Sequence, residues 1–467
     1  MSDLHDLCKY ASRPISQQYV ENLQFYLKNG IPSTYTVEEA YNFNNNIEDV
    51  EPESTTTPLH LICTHLPDDC TPDELEVVQK MIETLLEYGA GWCLIDVNND
   101  TPGCILIKRG LKTLPVYDQI VQAGVRAELL LRRVEEIEFV DEEDYLNDVE
   151  QNEHNSEIPD LVETLEPEQE APDVQETPDV QNAPDVKEAP EVQEVPEAVE
   201  SSKIGPKPDN SYDPLAPSNN QQTYLNTKLE YKDDALITKD RKDGVMMEWE
   251  SDLMQMGCDS LFKGAVVEGD EKDEEVVVLN IGFGMGIIDT MIQKKVPTKH
   301  YICEAHPDVL AKLKQDGWYS KPNVVILEGR WQEQLSNLLS QGNVFFNGIY
   351  YDTYSEHYSD MLELFDFVVG LLKPHGVFSF FNGLGADRQV VYEVYKELVE
   401  IDLKNYGLDC KFVEYKVPEA TMQKKQVTSE SNEAQPQEHA DSVWDGIKRE
   451  YWSCPVYYHP EAKFMEY

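Results

Sequence analysis

The residues best suited to chemistry cluster in the second half of the chain. Val276-Val277-Val278-Leu279-Asn280-Ile281 is a nearly unbroken apolar run that passes directly into Gly282-Phe283-Gly284-Met285-Gly286-Ile287-Ile288. A buried strand turning through glycines into a helix lets a nucleotide cofactor lie against bare backbone at the strand's carboxyl end. Glu304 closes the next apolar run, 20 positions after Gly284. A carboxylate there accepts hydrogen bonds from both ribose hydroxyls of a nicotinamide dinucleotide or of S-adenosylmethionine. The two cofactors part at position 287. A dinucleotide turn wants Gly or Ala for close helix approach over a pyrophosphate, whereas this chain has Ile287, so the G-x-G-x-G form favours S-adenosylmethionine.

Two more carboxylates converge on the same cleft. Tyr350-Tyr351-Asp352-Thr353-Tyr354 follows a later apolar run and puts Asp352 at a strand's carboxyl end. Gly244-Val245-Met246-Met247-Glu248-Trp249-Glu250 precedes the first strand and can lie across the site as a lid. His357, in a polar loop, and His375, in a Lys-Pro-His-Gly turn, read as structural. The cluster Tyr350, Tyr351, Tyr354 and Tyr358 reads mainly as packing, with Tyr354 able to flank a substrate.

The elements that must position these groups follow from the apolar pattern. Runs at Val276 to Ile281, His300 to Cys303, Val324 to Leu327, Gly348 to Tyr351 and Gly376 to Phe381 predict buried strands. Helical patterns fall between them, around Ile287 to Lys294, Pro307 to Gln315, Gln332 to Ser340 and Ser359 to Leu372. Such alternation predicts an α/β, doubly wound parallel sheet with helices on both faces. Lys411 to Val417 and Trp452 to Tyr458, separated by the polar stretch Gln426 to Ala440, predict an antiparallel pair at one edge and a total of seven strands.

Residues 1–134 read differently. Thr57-Pro58-Leu59-His60 opens a helix, and Thr101-Pro102-Gly103 restarts the pattern, as in ankyrin repeats. Thr57 can cap the helix that Pro58 begins. Leu27-Lys28-Asn29-Gly30, Leu86-Glu87-Tyr88-Gly89 and Val121-Gln122-Ala123-Gly124 look like one helix end repeated, with glycine spacings of 59 and 35. The longer interval implies an insertion at Tyr41 to Thr56. This small helical domain is expected to bind a partner or simply to pack on the rest.

Between Glu135 and Glu200, 25 Asp and Glu stand against the single Lys187, so this stretch holds 24 of the 51 net negative charges. Pro172, Pro178, Pro184, Pro190 and Pro196 recur every six residues there. Residues 135–210 are therefore expected to be an extended linker, and 211–467 the catalytic domain. Net acidity disfavours direct nucleic-acid binding and favours a cationic or basic-protein substrate. The nine cysteines include no C-x-x-C pair, so neither a metal site nor a disulfide framework is expected. No signal peptide or membrane span is expected, and a reduced, intracellular setting, cytoplasmic or nuclear, follows.

Taken in order, Val245 to Glu250, Gly282 to Met285, Glu304, Gly329-Arg330-Trp331 and Tyr351 to Tyr354 resemble the guanidinoacetate methyltransferase family. With the ankyrin-like front and the acidic linker, the whole layout resembles the fungal type IV protein arginine methyltransferases. The resemblance implies methylation of the internal (delta) nitrogen of arginine in a large-subunit ribosomal protein. It implies that Phe283, Gly284, Met285, Gly286, Ile287 and Ile288 wrap the methionine moiety of S-adenosylmethionine. Glu304 would hold the ribose beside Ala305 and His306, and Trp331 and Gln332 would border the adenine, although the relative has an acidic residue at the Gln332 position. Tyr224, Met246 and Met254 match lid positions. Glu250 and Asp352 match the pair that grips the guanidinium, a group with a pKa above about 12 and no free lone pair. Glu250 is expected to orient it and Asp352, also placed against the cofactor, to accept its proton. The rival expectations are a small-molecule guanidine methyltransferase and an inactive ankyrin adaptor.

Overall fold

In the computed structural model, the described residues are 3–47, 54–138, 215–232, 234–265, 275–422, 443–444, 446–448 and 450–466. The expected linker therefore lies outside them, apart from the end of one helix. The front of the chain is helical: α1 (Asp3–Leu7), α2 (Gln17–Lys28), α3 (Val37–Asn44), α4 (Pro58–His65), α5 (Pro72–Glu87), α6 (Pro102–Lys108) and α7 (Pro115–Glu138). α4 packs on α6 and α2 on α5, so helices of successive pairs stack side by side. The Thr-Pro-Leu-His motif works through its histidine. His60 Nδ1 accepts the Thr57 N–H at 3.1 Å, while Nε2 donates to the Leu94 carbonyl at 2.9 Å, joining the helix start to the next turn.

Gly30 and Gly89 do end helices, in the left-handed region at φ 89° and 84°. Gly124 does not: it lies inside α7, and the glycine that follows α6 is Gly110. The Gly124 position is small because another part of the chain comes close. A Cβ there would stand 2.6 Å from Val394 Cγ2 and 3.1 Å from the Trp92 ring. The expected insertion also differs, since α3 already begins at Val37, and residues 48–53 of it lie outside the description.

Past the linker come α8 (Gln221–Asn226) and a small antiparallel sheet, β1 (Leu229–Lys232), β2 (Ala235–Thr238) and β3 (Gly244–Met247), followed by α9 (Ser251–Lys263). The large sheet then builds from β4 (Val277–Ile281), α10 (Ile287–Lys294), β5 (Lys299–Glu304), α11 (Pro307–Gln315), β6 (Val324–Glu328), α12 (Trp331–Gln341), β7 (Phe346–Tyr351), α13 (Tyr358–Leu371), β8 (Leu372–Phe380), α14 (Gln389–Asn405), β9 (Leu408–Lys416) and β10 (Val456–Phe464). Its order is β6-β5-β4-β7-β8-β10-β9. The first five strands run parallel, and β10 is antiparallel to both neighbours. All residues of β4 and β7 are buried, as central parallel strands require. The order reverses at β4, where β5 lies on one side and β7 on the other, which opens a crevice at their carboxyl ends. The expected edge pair is present, though β10 starts later than Trp452 and slots between β8 and β9.

Residues Met1–Arg133 and Asp213–Tyr467 form one compact unit. α14 carries much of the seam between the helical front and the sheet. Glu393 accepts from Lys112 Nζ and the Tyr117 hydroxyl, both at 2.5 Å. Asp402 accepts from Arg132 at 2.8 Å and from the Tyr358 hydroxyl at 2.5 Å, with the Arg132 guanidinium 4.7 Å from the Tyr358 ring centre. Gly124→Leu should overpack this seam and lower stability by about 1–3 kcal/mol, more than the gain of under ~1 kcal/mol from removing a helix glycine. A fall in the thermal unfolding midpoint checks it. Among the described residues no helix is long and apolar enough to cross a membrane.

Candidate active site

β4 delivers the glycine turn to the crevice. A Cβ on Gly282, at φ 93°, would stand 1.9 Å from the Asp352 carbonyl oxygen, so glycine alone lets the ends of β4 and β7 close together. The Asp352 N–H donates to the Ile281 carbonyl at 2.9 Å and fixes Asp352 beside the turn. Gly284, at φ 54°, gives way to a side chain from the small sheet, because a Cβ there would meet Met246 Cε at 2.6 Å. The Met285 N–H donates to Met246 Sδ at 3.2 Å, and the Tyr231 hydroxyl to the Gly284 carbonyl at 2.9 Å. The small sheet is thus a flap tied to the glycine turn.

A cavity of about 640 Å³ lies under this flap, bordered by Gly282, Gly284, Glu304, Trp331 and Tyr224. Glu304 Oε2 accepts the Phe283 N–H at 2.9 Å and Oε1 the His306 N–H at 2.6 Å. Burial raises its carboxyl above the usual range against these backbone donors. His306 anchors the lid. Its Nδ1 accepts the Asp308 N–H at 3.1 Å, so Nε2 carries the hydrogen shared between the Tyr224 and Thr227 carbonyls, each 3.1 Å away. The Tyr224 ring packs 4.8 Å from His306 and 4.9 Å from Tyr354, centre to centre.

A second cavity, about 870 Å³, adjoins the first, and Val245, Asp352, Thr353, Tyr354 and Glu356 border both. Glu250 and Asp352 both line it. Glu250 is 3% exposed and accepts from the Tyr451 hydroxyl through Oε1. Burial, then repulsion from Asp352, holds its carboxyl well above the usual range. Asp352 is pushed up to about 7 by burial and then by repulsion from Asp289. Its Oδ2 is buried and has no hydrogen-bond partner among the described residues. Two buried acids on one cavity, one with a free acceptor lobe, form a receptor for a cation that brings several N–H donors.

Other residues singled out from the sequence are placed around the cavities rather than in them. Phe283 turns into the core, its ring 5.3 Å from that of Trp318, while its backbone N–H serves Glu304. Ile288 and Met254 are fully buried in the same core, with Met285 and Ile287 packed against it. Gly286, at φ 71°, starts α10. Gln332 lies in the first turn of α12, with Oε1 buried and unpartnered. Ala305 does border the first cavity. Sequence reading missed Gln221, Glu356, Asn382 and Tyr451. A third acid so close after Asp352 was a signal for Glu356. Tyr451 had none, since it reaches Glu250 from 201 positions away.

A sheet that reverses beside a glycine turn, with an acid after its second strand and a flap over the crevice, is the architecture of Rossmann-like methyltransferases. The guanidinoacetate N-methyltransferase family matches residues 219–441. Protein arginine N-methyltransferase 2 of Debaryomyces hansenii is 62% identical over 473 residues, covering 100% of both chains. The Saccharomyces cerevisiae protein of that name is 45% identical over 481 residues, 99% of this chain and 100% of its own. Among solved structures, the O-methyltransferase TomG from Streptomyces achromogenes, in complex with SAM, aligns at 14% identity over 36% of this chain and 74% of its own, with a TM-score of 0.27. The chain belongs to the protein arginine N-methyltransferase 2 family, enzymes that methylate arginine.

S-adenosylmethionine is the cofactor expected for such an enzyme, and the first cavity fits it. Bare glycine backbone, the Glu304 carboxylate for a ribose diol and the Trp331 indole at the far border are the features it needs.

Proposed function

We propose that this chain transfers a methyl group from S-adenosylmethionine to the internal (delta) nitrogen of arginine in a protein, a basic protein of the large ribosomal subunit. The observation that carries the reading is the wall shared by the two cavities. Asp352 borders both the cavity that Glu304 lines and the one that Glu250 lines. The choice of nitrogen and of a ribosomal substrate rests on the family resemblance, and the net charge of −51 favours a basic partner. A cytoplasmic or nuclear setting belongs to the same reading.

When bound, the cofactor supplies an electrophilic methyl group on a sulfonium. The chain does the rest. Glu250, held by Tyr451, receives the guanidinium edge and fixes its plane. Asp352, with its free Oδ2, accepts the proton that the nitrogen must lose. The flap residues Met246 and Tyr231, tied to the glycine turn, exclude water from above.

The test is to incubate purified enzyme and methyl-labelled cofactor with guanidinoacetate and, separately, with large-subunit ribosomal proteins. Label is expected in a protein, and hydrolysis should recover arginine methylated on its internal nitrogen. Label confined to guanidinoacetate, or found on a terminal nitrogen, would overturn the proposal.

A further inference from the structure

Four donors from three places converge on one carboxylate, Glu356. Oε1 accepts Gln221 Nε2 at 2.5 Å and Trp331 Nε1 at 2.8 Å. Oε2 accepts Thr353 Oγ1 at 2.7 Å and the Tyr351 hydroxyl. Gln221 opens α8, the lid helix that carries Tyr224. Trp331 opens α12 on the far side of the cofactor cavity. Tyr351 and Thr353 flank Asp352 in the chain. The next residue, His357, adds a second grip on the lid, with Nε2 3.1 Å from the Asn219 carbonyl.

A carboxylate has about four acceptor sites, and here each is used by protein. Glu356 is therefore not free to bind substrate, even though it borders both cavities. Burial raises its carboxyl above the usual range, with Asp360 adding repulsion, against the hydrogen bonds from Tyr351, Thr353 and Trp331. What the arrangement achieves is linkage: lid, adenine border and the Asp352 loop share one acceptor.

We propose that Glu356 is a positioning residue that clamps the lid helix shut over the cofactor cavity through Gln221, while holding the Asp352 loop through Tyr351 and Thr353. The inference rests on the cofactor reading of the first cavity.

The two oxygens see different kinds of donor, and this yields a discriminating variant. Both N–H donors meet Oε1, whereas both hydroxyl donors meet Oε2. In Glu356→Gln the amide oxygen can keep the N–H donors, and the hydroxyls can rotate to accept from the new NH₂. The clamp then survives without its charge. In Glu356→Ala it does not. Gln221→Ala removes the lid tether alone, at a half-exposed position where folding is not at stake.

The measurement is calorimetric titration of the full-length protein with S-adenosylhomocysteine, alongside thermal melting of the free proteins. Gln221→Ala is expected to raise Kd about tenfold, the loss of one hydrogen bond to a charged acceptor, without moving the melting midpoint. Glu356→Ala should raise it further, and Glu356→Gln should stay within about threefold of the wild type. Wild-type affinity in Gln221→Ala, or equal losses in Glu356→Gln and Glu356→Ala, would overturn the clamp. A wild-type protein that binds no S-adenosylhomocysteine would instead overturn the cofactor reading beneath it.

Discussion

Asp352→Asn is expected to lower kcat by roughly 10²–10⁴-fold, the range for removing a positioned proton acceptor. Asn keeps the shape and can still accept one hydrogen bond from a guanidinium, but it cannot take up a proton. Cofactor affinity should hold, because the contact with the glycine turn is made by the Asp352 backbone, whose N–H donates to Ile281 at 2.9 Å. The same change should help the fold at high pH. The carboxyl is raised from about 3.8 to about 7 by burial, so its neutral form suits the folded state and ionisation disfavours it. Its stabilising contribution is complete below pH ~4 and is lost as pH rises through ~7. The variant should therefore melt above the wild type at pH 8 and close to it at pH 4. An Asn variant that turns over normally would remove Asp352 from the chemistry. One that melts lower at pH 8 would show that its side chain is an ordinary structural anchor.

Glu250→Gln should cost about 2–5 kcal/mol of transition-state binding, the range for breaking a buried charged pair, or at least 30-fold in kcat/KM. Unlike Asp352, Glu250 already has a partner, the Tyr451 hydroxyl, so its plane is set before substrate arrives. Burial and the facing Asp352 disfavour the ionised form of Glu250 in the free enzyme. A guanidinium entering the cavity opposes that preference by favouring the ionised carboxylate. Asp352, raised to about 7, must lose its own proton before it can take one from the substrate, so the kcat/KM profile should show an ascending limb near pH 7. In Glu250→Gln the limb should persist at a lower plateau, whereas in Asp352→Asn it should disappear. A pH-independent wild-type profile would contradict the assignment of Asp352 as proton acceptor.

These contrasts depend on tertiary facts that local sequence does not carry. Met246 shows the division. Its place in a lid was legible from a short apolar segment before the first strand, but its thioether as the acceptor for the Met285 N–H was not, because the two are 39 positions apart. Gly124 shows it in reverse: a Gly after a helix-like phrase reads as a helix end, yet its cause lies in Val394, on a different part of the chain.

Local patterning determined the order of the large sheet's elements, the glycine turn and the position of Glu304, Asp352 and Glu250 at strand or flap ends. Each depends on short-range periodicity or on backbone freedom at glycine, which neighbouring residues dictate. Only the tertiary structure decided that β10 enters between β8 and β9, that the helical front packs on α14, and that Tyr451 and Gln221 reach two of the site's acids. Those are pairings across 40 residues or more, and they form because buried carboxylates and strand edges must find partners wherever the folded chain brings donors to them.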